Sequence, residues 1–229
     1  MISNVMIIGS GQMGSGIAQV FAQAGFTVYL NDIKEEFVQR GLNNITKQLE
    51  RSVEKGRLSA DEKDKVVANL IPSTSYEDAK NVQLVIEAAT ENRDIKLSIF
   101  KQLDEITDSK TILASNTSSL SITDIAAATK NQERVIGMHF FNPAPVMKLV
   151  EVIKALQTSD EVVAEIRELT KKIGKTPVDV KDSYGFVVNR VLIPMINEAI
   201  YILGEGVASA EEIDEAMKLG ANHPIGPLA

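Results

Sequence analysis

The sequence predicts an α/β chain in two parts. Residues 1–184 read as a doubly wound sheet with an inserted helical hairpin, and residues 185–229 as the start of an all-helical domain. Three observations carry this. Short apolar runs suited to strands buried on both faces alternate with amphipathic helical patterns through the first part. The first run, Val5-Met6-Ile7-Ile8, passes directly into Gly9-Ser10-Gly11-Gln12-Met13-Gly14, a G-x-G-x-x-G turn. Beyond Ser183-Tyr184-Gly185 only helical patterns remain.

The glycine turn gives the first part a Rossmann-like character. An apolar helix pattern (Ile17, Val20, Phe21, Ala24) follows the turn and stops at Gly25. A second strand, Thr27 to Asn31, ends on Asp32. Gly9 permits the tight turn, Gly11 lets backbone approach a pyrophosphate, and Gly14 lets helix and strand pack closely. The helix N-terminus offers free N–H groups and a positive dipole end to the phosphates. Asp32 then suits the ribose hydroxyls and would repel a 2′-phosphate, so the cofactor expected is NAD rather than NADP. A glycine-rich turn in an ordinary α/β unit would leave Asp32 unexplained.

Composition narrows the class. With 44% apolar and 24% charged residues, the chain is neither disordered nor a membrane protein. Its longest apolar stretch, Phe186 to Leu203, is interrupted by Asn189, Arg190, Asn197 and Glu198, which is too polar to span a bilayer. The absence of cysteine excludes disulfides and thiol catalysis. A net charge of −7 argues against nucleic acid as the partner. The N-terminal residues enter a strand without a cationic flank, so a cytoplasmic protein is expected. No cluster of credible metal-ligand spacing appears.

Lys34 to Asn69 is too long for one crossover helix. Val38, Leu42, Ile45, Leu49 and Val53 mark one amphipathic helix ended by Gly56, and Ser59-Ala60-Asp61-Glu62 opens a second with a capping box. The first carries Lys47, Arg51 and Lys55, with Arg57 in the turn. That basic face is either solvated or a dock for substrate phosphates, and the solvated reading is the commoner outcome for such charges. Val82 to Ile86 is the next buried strand, and Glu91 and Lys96 follow its end, where open parallel sheets place ligands. They stand equally as a helix-start acid and a surface cation. Thr111 to Ala114 is a strand ending in Ser115-Asn116-Thr117-Ser118-Ser119, read as turn and cap chemistry or as hydroxyls aimed at a ligand.

Val135 to Met138 is a strand ending at His139, and Leu149 to Ile153 returns after a double-proline loop. A lone histidine is most often a satisfied core or loop residue. Here Glu151 lies twelve residues on, inside an otherwise apolar strand, and a buried glutamate needs a partner. Alternation allows it a solvent face instead, so the pairing is an inference. His223 reads as a loop residue. Asp160 to Lys172 is a helix, Val178 to Val180 a short strand, Phe186 to Leu203 a helix bent by Pro194, and Ser209 to Leu219 a capped helix closed by Gly220.

Taken together, these residues resemble the short-chain 3-hydroxyacyl-CoA dehydrogenases, most of all the bacterial 3-hydroxybutyryl-CoA dehydrogenase branch that serves butyrate and related fatty-acid metabolism. The likeness runs over the whole chain. It is most specific at Gly9 to Gly14 with Asp32, at Ser115 to Leu120, at His139 to Val152, at Gly185 to Arg190 and at Met217 to Ala221. It implies an NAD-dependent oxidoreductase in which His139 is the acid/base, Glu151 its partner, and Ser118 and Asn189 hold the substrate oxygen and the histidine. It also implies that Gly9, Gly11, Gln12, Met13, Gly14, Asp32, Glu91, Lys96, Ser118 and Asn142 line the cofactor. Lys55 would contact coenzyme A, with Arg51 standing where relatives often carry lysine, a change that keeps charge but alters phosphate geometry.

The family continues beyond Gly226-Pro227-Leu228-Ala229 through further helices that complete the second domain and much of a homodimer contact. A shortened form, a homodimer when full-length and an acyl-CoA substrate are therefore the expectations. The chemistry implied is hydride transfer between (S)-3-hydroxybutyryl-CoA and acetoacetyl-CoA, with the histidine, whose ordinary pKa of ~6.5 suits the task, moving the proton. Two alternatives stand beside it: a free-acid β-hydroxyacid dehydrogenase, which would use a catalytic lysine, and a non-catalytic nucleotide-binding relative.

Overall fold

The computed structural model describes residues 2–229. Its backbone divides into two units, one ending at Ser183 and one running from Tyr184 to Ala229.

The apolar runs of the first unit pair into one eight-stranded sheet: β1 (Asn4–Ile8), β2 (Thr27–Asn31), β3 (Leu70–Ser73), β4 (Leu84–Glu87), β5 (Ile112–Ser115), β6 (Val135–Phe140), β7 (Leu149–Lys154) and β8 (Thr176–Lys181). The order is β3-β2-β1-β4-β5-β6-β7-β8. All neighbours are parallel except β6 and β7, which are antiparallel. Every residue of β4, β5 and β6 is buried, as strands covered on both faces should be. The order reverses direction between β1 and β4, and the crevice beyond their carboxyl ends is where such sheets bind ligands.

Six α-helices are described in this unit: α1 (Gln12–Gln23), α2 (Glu35–Glu54), α3 (Ala60–Ala68), α4 (Arg93–Ile106), α5 (Ile122–Ala126) and α6 (Asp160–Lys172). Ile17 and Phe21 of α1 and Ile45 and Leu49 of α2 join Ile7 and Ile86 of the sheet in the core. The hairpin of α2 and α3 forms with the predicted Ser59–Glu62 capping box. A Cβ on Gly41 would sit 2.9 Å from the Ser10 carbonyl, so a glycine is what lets α2 lie against the glycine turn.

Several boundaries differ from the sequence reading. β4 and β5 begin later and run on to Glu87 and Ser115, and β6 continues through His139 to Phe140. β3 has no counterpart in that reading; it is four residues long, contains Pro72 and lies at the sheet edge, where a strand tolerates proline. In the second unit α7 (Val188–Gly204) starts two residues later than expected, because Phe186 adopts a φ of +49° and Val187 is the N-cap. α7 runs through Pro194, and α8 (Ala210–Gly220) opens on the Ser209–Glu212 capping box.

Candidate active site

The turn between β1 and α1 is built as the glycine spacing requires. Gly9 has a φ of +97° and donates its N–H to the Asn31 carbonyl at 2.8 Å. A Cβ on Gly14 would lie 1.7 Å from the Gly9 carbonyl oxygen, whereas one on Gly11 would meet nothing within 4 Å. Gly14 therefore closes the turn, and Gly11 leaves open surface over which a pyrophosphate can approach. Gly11 caps α1 without a side-chain hydrogen bond, and no acid stands in the first turn to compete for its N–H groups.

Asp32 is held firmly beside this turn. Its Oδ2 accepts from the Ser10 amide at 2.8 Å and the Ser10 hydroxyl at 2.7 Å, and its Oδ1 accepts from the Ile33 amide at 2.8 Å. A cavity of about 320 Å³ opens next to it, lined in part by Asp32, Ile33, Tyr76, Ile95 and Ile99. Burial, reinforced by the negative charges of Glu87 and Asp32, pushes the Tyr76 phenol up, so it remains a neutral hydrogen-bonding group.

A second cavity of about 300 Å³ shares Ala89 and Thr90 with the first and is lined also by Met13, Glu91, Lys96, Asn116 and Ser118. The run of small polar residues after β5 serves acids rather than standing free. Glu91 Oε1 accepts from the Thr117 hydroxyl at 2.6 Å, the Ser118 amide at 2.8 Å and the Ser119 amide and hydroxyl at 3.0 Å. Burial raises the Glu91 carboxyl, but these bonds and the Lys96 charge outweigh it, and the group lies below the usual carboxylate range.

Lys96 is not a surface cation. Its Nζ lies 2.6 and 2.9 Å from the two oxygens of Glu87, and both side chains are almost wholly buried. Glu87 also accepts from the Ala89 amide and the Ser115 hydroxyl. Sequence reasoning passed over Glu87; its signal was an acid at the end of a buried strand nine residues before a lysine.

β6 and β7 set His139 directly opposite Glu151 in the ladder. Both are buried, and Nδ1 lies 2.8 Å from Glu151 Oε2. An ionised carboxylate can only accept in this contact, so the geometry fits the tautomer with its proton on Nδ1. The Phe141 ring packs against the imidazole at a centroid distance of 4.5 Å. Asn116 Oδ1 accepts from the Phe140 amide at 2.8 Å, tying the β5 loop to the histidine strand. Asn142 Oδ1 accepts from Gln12 Nε2 at 3.1 Å, which joins the loop after β6 to the start of α1.

The structure thus brings together His139 with Glu151, Glu91 with the Ser118 backbone and Lys96, and Gln12 with Asn142. Arg51 and Lys55 stand apart from both cavities, exposed at the end of α2. Asn189 occupies the first turn of α7 in the second unit, and His223 follows α8 outside regular structure. Among the described residues, no group of His, Cys, Asp and Glu is placed to hold a metal ion, and no helix is long and apolar enough to cross a membrane.

A switch-point crevice, an open glycine turn and a fixed acid at the end of the second strand define a dinucleotide-binding fold. Residues 4–183 match the family model "3-hydroxyacyl-CoA dehydrogenase, NAD binding domain", and residues 185–229 match the C-terminal domain model of the same family. The chain belongs to the 3-hydroxyacyl-CoA dehydrogenase family. It is 55% identical over 228 residues to a probable 3-hydroxybutyryl-CoA dehydrogenase of Bacillus subtilis, covering 100% of this chain and 79% of the relative. It is 54% identical over 223 residues to a 3-hydroxybutyryl-CoA dehydrogenase of Clostridioides difficile, covering 97% and 79%. The crystal structure of (S)-3-hydroxybutyryl-CoA dehydrogenase from Ralstonia eutropha superposes with a TM-score of 0.97 at 54% identity, covering 99% of this chain and 80% of that one.

Proposed function

We propose that this chain interconverts a 3-hydroxyacyl-CoA and the matching 3-oxoacyl-CoA, with the 3-hydroxybutyryl and acetoacetyl thioesters as the substrate pair and His139–Glu151 as the acid/base device. The observation that carries the reading is the buried 2.8 Å contact between Nδ1 and the carboxylate, at the carboxyl edge of the sheet that holds the dinucleotide turn. The open surface at Gly11 and the fixed carboxylate of Asp32 fit NAD. When bound, NAD supplies the hydride acceptor or donor. Nε2 of His139 takes the hydroxyl proton in oxidation and returns it to the developing alkoxide in reduction. Glu151 keeps the ring in one tautomer and offsets the charge of the imidazolium. Ser118, at the rim of the second cavity, and Asn189 on α7 are proposed to hydrogen-bond the reacting oxygen and the histidine, and Glu91, Lys96 and Asn142 to line the nicotinamide end. Arg51 and Lys55 are proposed to meet the coenzyme A phosphates.

The test is NADH consumption with acetoacetyl-CoA, run beside free acetoacetate. Turnover of the thioester but not the free acid is expected. Equal use of free acetoacetate would replace the reading with a free-acid dehydrogenase, and tight NADH binding without turnover of either would leave a nucleotide-binding relative.

A further inference from the structure

Another buried cation, Lys175, lies against the loop between β6 and β7. Gly174, with a φ of +74°, ends α6, and Lys175 then enters the start of β8 with its side chain folded inward. Its Nζ donates to the Ala144 carbonyl at 2.7 Å and the Met147 carbonyl at 2.7 Å, with the Pro145 carbonyl at 3.4 Å. Among the described residues its bonds go to these carbonyls and to no carboxylate, and burial alone lowers the ammonium below the usual lysine value. A cation buried without a counter-ion is costly, so its carbonyl partners must be fixed well enough to offset the lost hydration.

Those carbonyls all belong to the loop between β6 and β7, which joins the His139 strand to the Glu151 strand. The opposite side of the loop rests on α1. A Cβ on Gly16 would come within 3.2 Å of Ala144 Cβ and 3.3 Å of Pro145 Cδ, so helix and loop are in close contact there. Two residues before Ala144, Asn142 accepts its bond from Gln12, the first residue of α1. The loop is clamped between the lysine and the dinucleotide-binding helix.

We propose that Lys175 is a positioning residue of the cofactor site: by gathering the Ala144, Pro145 and Met147 carbonyls it presses the loop onto α1 and holds Asn142 where it meets Gln12 and the nicotinamide end of NAD. The inference rests on the proposed placement of Asn142 along the cofactor. Lys175 touches no reacting atom; it acts through the loop.

Direct NADH binding, followed by the cofactor's own fluorescence, separates this from the substrate assignment, because it needs no turnover. Lys175→Ala and Lys175→Met should each weaken NADH roughly tenfold or more, the change in affinity that about 1.4 kcal/mol produces. KM for NADH should rise in parallel while kcat with acetoacetyl-CoA changes by less than about threefold. A cavity of about 370 Å³ bordered by Pro145, Gly174 and Lys175 gives a small amine access to the vacated space. n-Propylammonium should therefore restore at least half of the lost affinity in Lys175→Ala, and tetramethylammonium at equal ionic strength, which has no N–H donor, should restore none. Unchanged NADH affinity in both variants overturns the proposal, whatever the melting temperature does. So does a loss that propylammonium does not reverse, or a failure of both variants to fold, which would assign the ammonium to stability instead.

Discussion

Lys96→Met keeps the length of a buried side chain and deletes its charge. The ammonium lies 2.6 and 2.9 Å from the Glu87 oxygens, and at an effective dielectric of about 20 that separation corresponds to roughly 6 kcal/mol of gross attraction. Desolvation of two buried ions consumes several kcal/mol each, so the intact pair contributes little net stability. Removing one partner is different, because the other charge stays behind. Glu87 keeps the Ala89 amide and the Ser115 hydroxyl, each contributing about 1 kcal/mol, which places the expected loss near the lower end of the usual range, at about 3 kcal/mol. Urea unfolding of the cofactor-free protein, followed by far-ultraviolet circular dichroism, measures it. Glu87→Gln with Lys96→Met together should recover at least half of the loss, since no charge is then stranded. A single variant within about 0.5 kcal/mol of the unmodified protein, or fully additive losses in the pair, would refute the reasoning.

Asp32→Ala should raise KM for NAD and narrow the preference over NADP, because it removes both the ribose acceptor and the charge that repels a 2′-phosphate; an unchanged ratio of kcat/KM values would contradict this. Asp104 governs part of the acid limb. Burial raises its carboxyl, but the Lys130 amide and the Arg134 guanidinium at 2.8 Å outweigh that and hold it below its usual value. Folding therefore releases a proton there: the stabilisation is present above the unfolded value of about 3.9 and fades as pH falls through the lower folded value. Asp104→Asn should cost about 3 kcal/mol at neutral pH and flatten the stability profile below pH ~4, as read by urea midpoints across the acid range.

The elements that repeat a pattern were legible in the sequence. The turn at Gly9 to Gly14, the hairpin with its Ser59 cap and the helix from Asp160 to Lys172 all follow from local spacing, and they formed where that spacing put them. β3 was not legible, because four residues with a central proline carry no periodic signal and become a strand only by lying beside β2. The Glu87–Lys96 pair left a local trace, an acid at a buried strand end and a lysine on the same helical face as Ile99, Phe100 and Leu103, but only the packing of α4 shows that the lysine turns inward to meet the acid. The small polar run from Ser115 to Ser119 was ambiguous between cap and ligand chemistry, and long-range bonds to Glu87 and Glu91 supplied the partners. Lys175 carries no signal in the sequence, because its partners are backbone carbonyls, which no residue type announces.

The pairing of His139 with Glu151 is the central claim, and the double-mutant cycle on kcat for acetoacetyl-CoA reduction tests it most directly. His139→Gln should lower kcat by roughly 10²–10⁴-fold with NADH affinity nearly intact. Glu151→Gln should cost a comparable factor, because the imidazole loses both its orientation and its counter-charge. Carrying both substitutions should leave the enzyme little worse than either alone, as groups acting as one unit are not additive. Losses that multiply in full would mean that the two side chains, although 2.8 Å apart, do not work together.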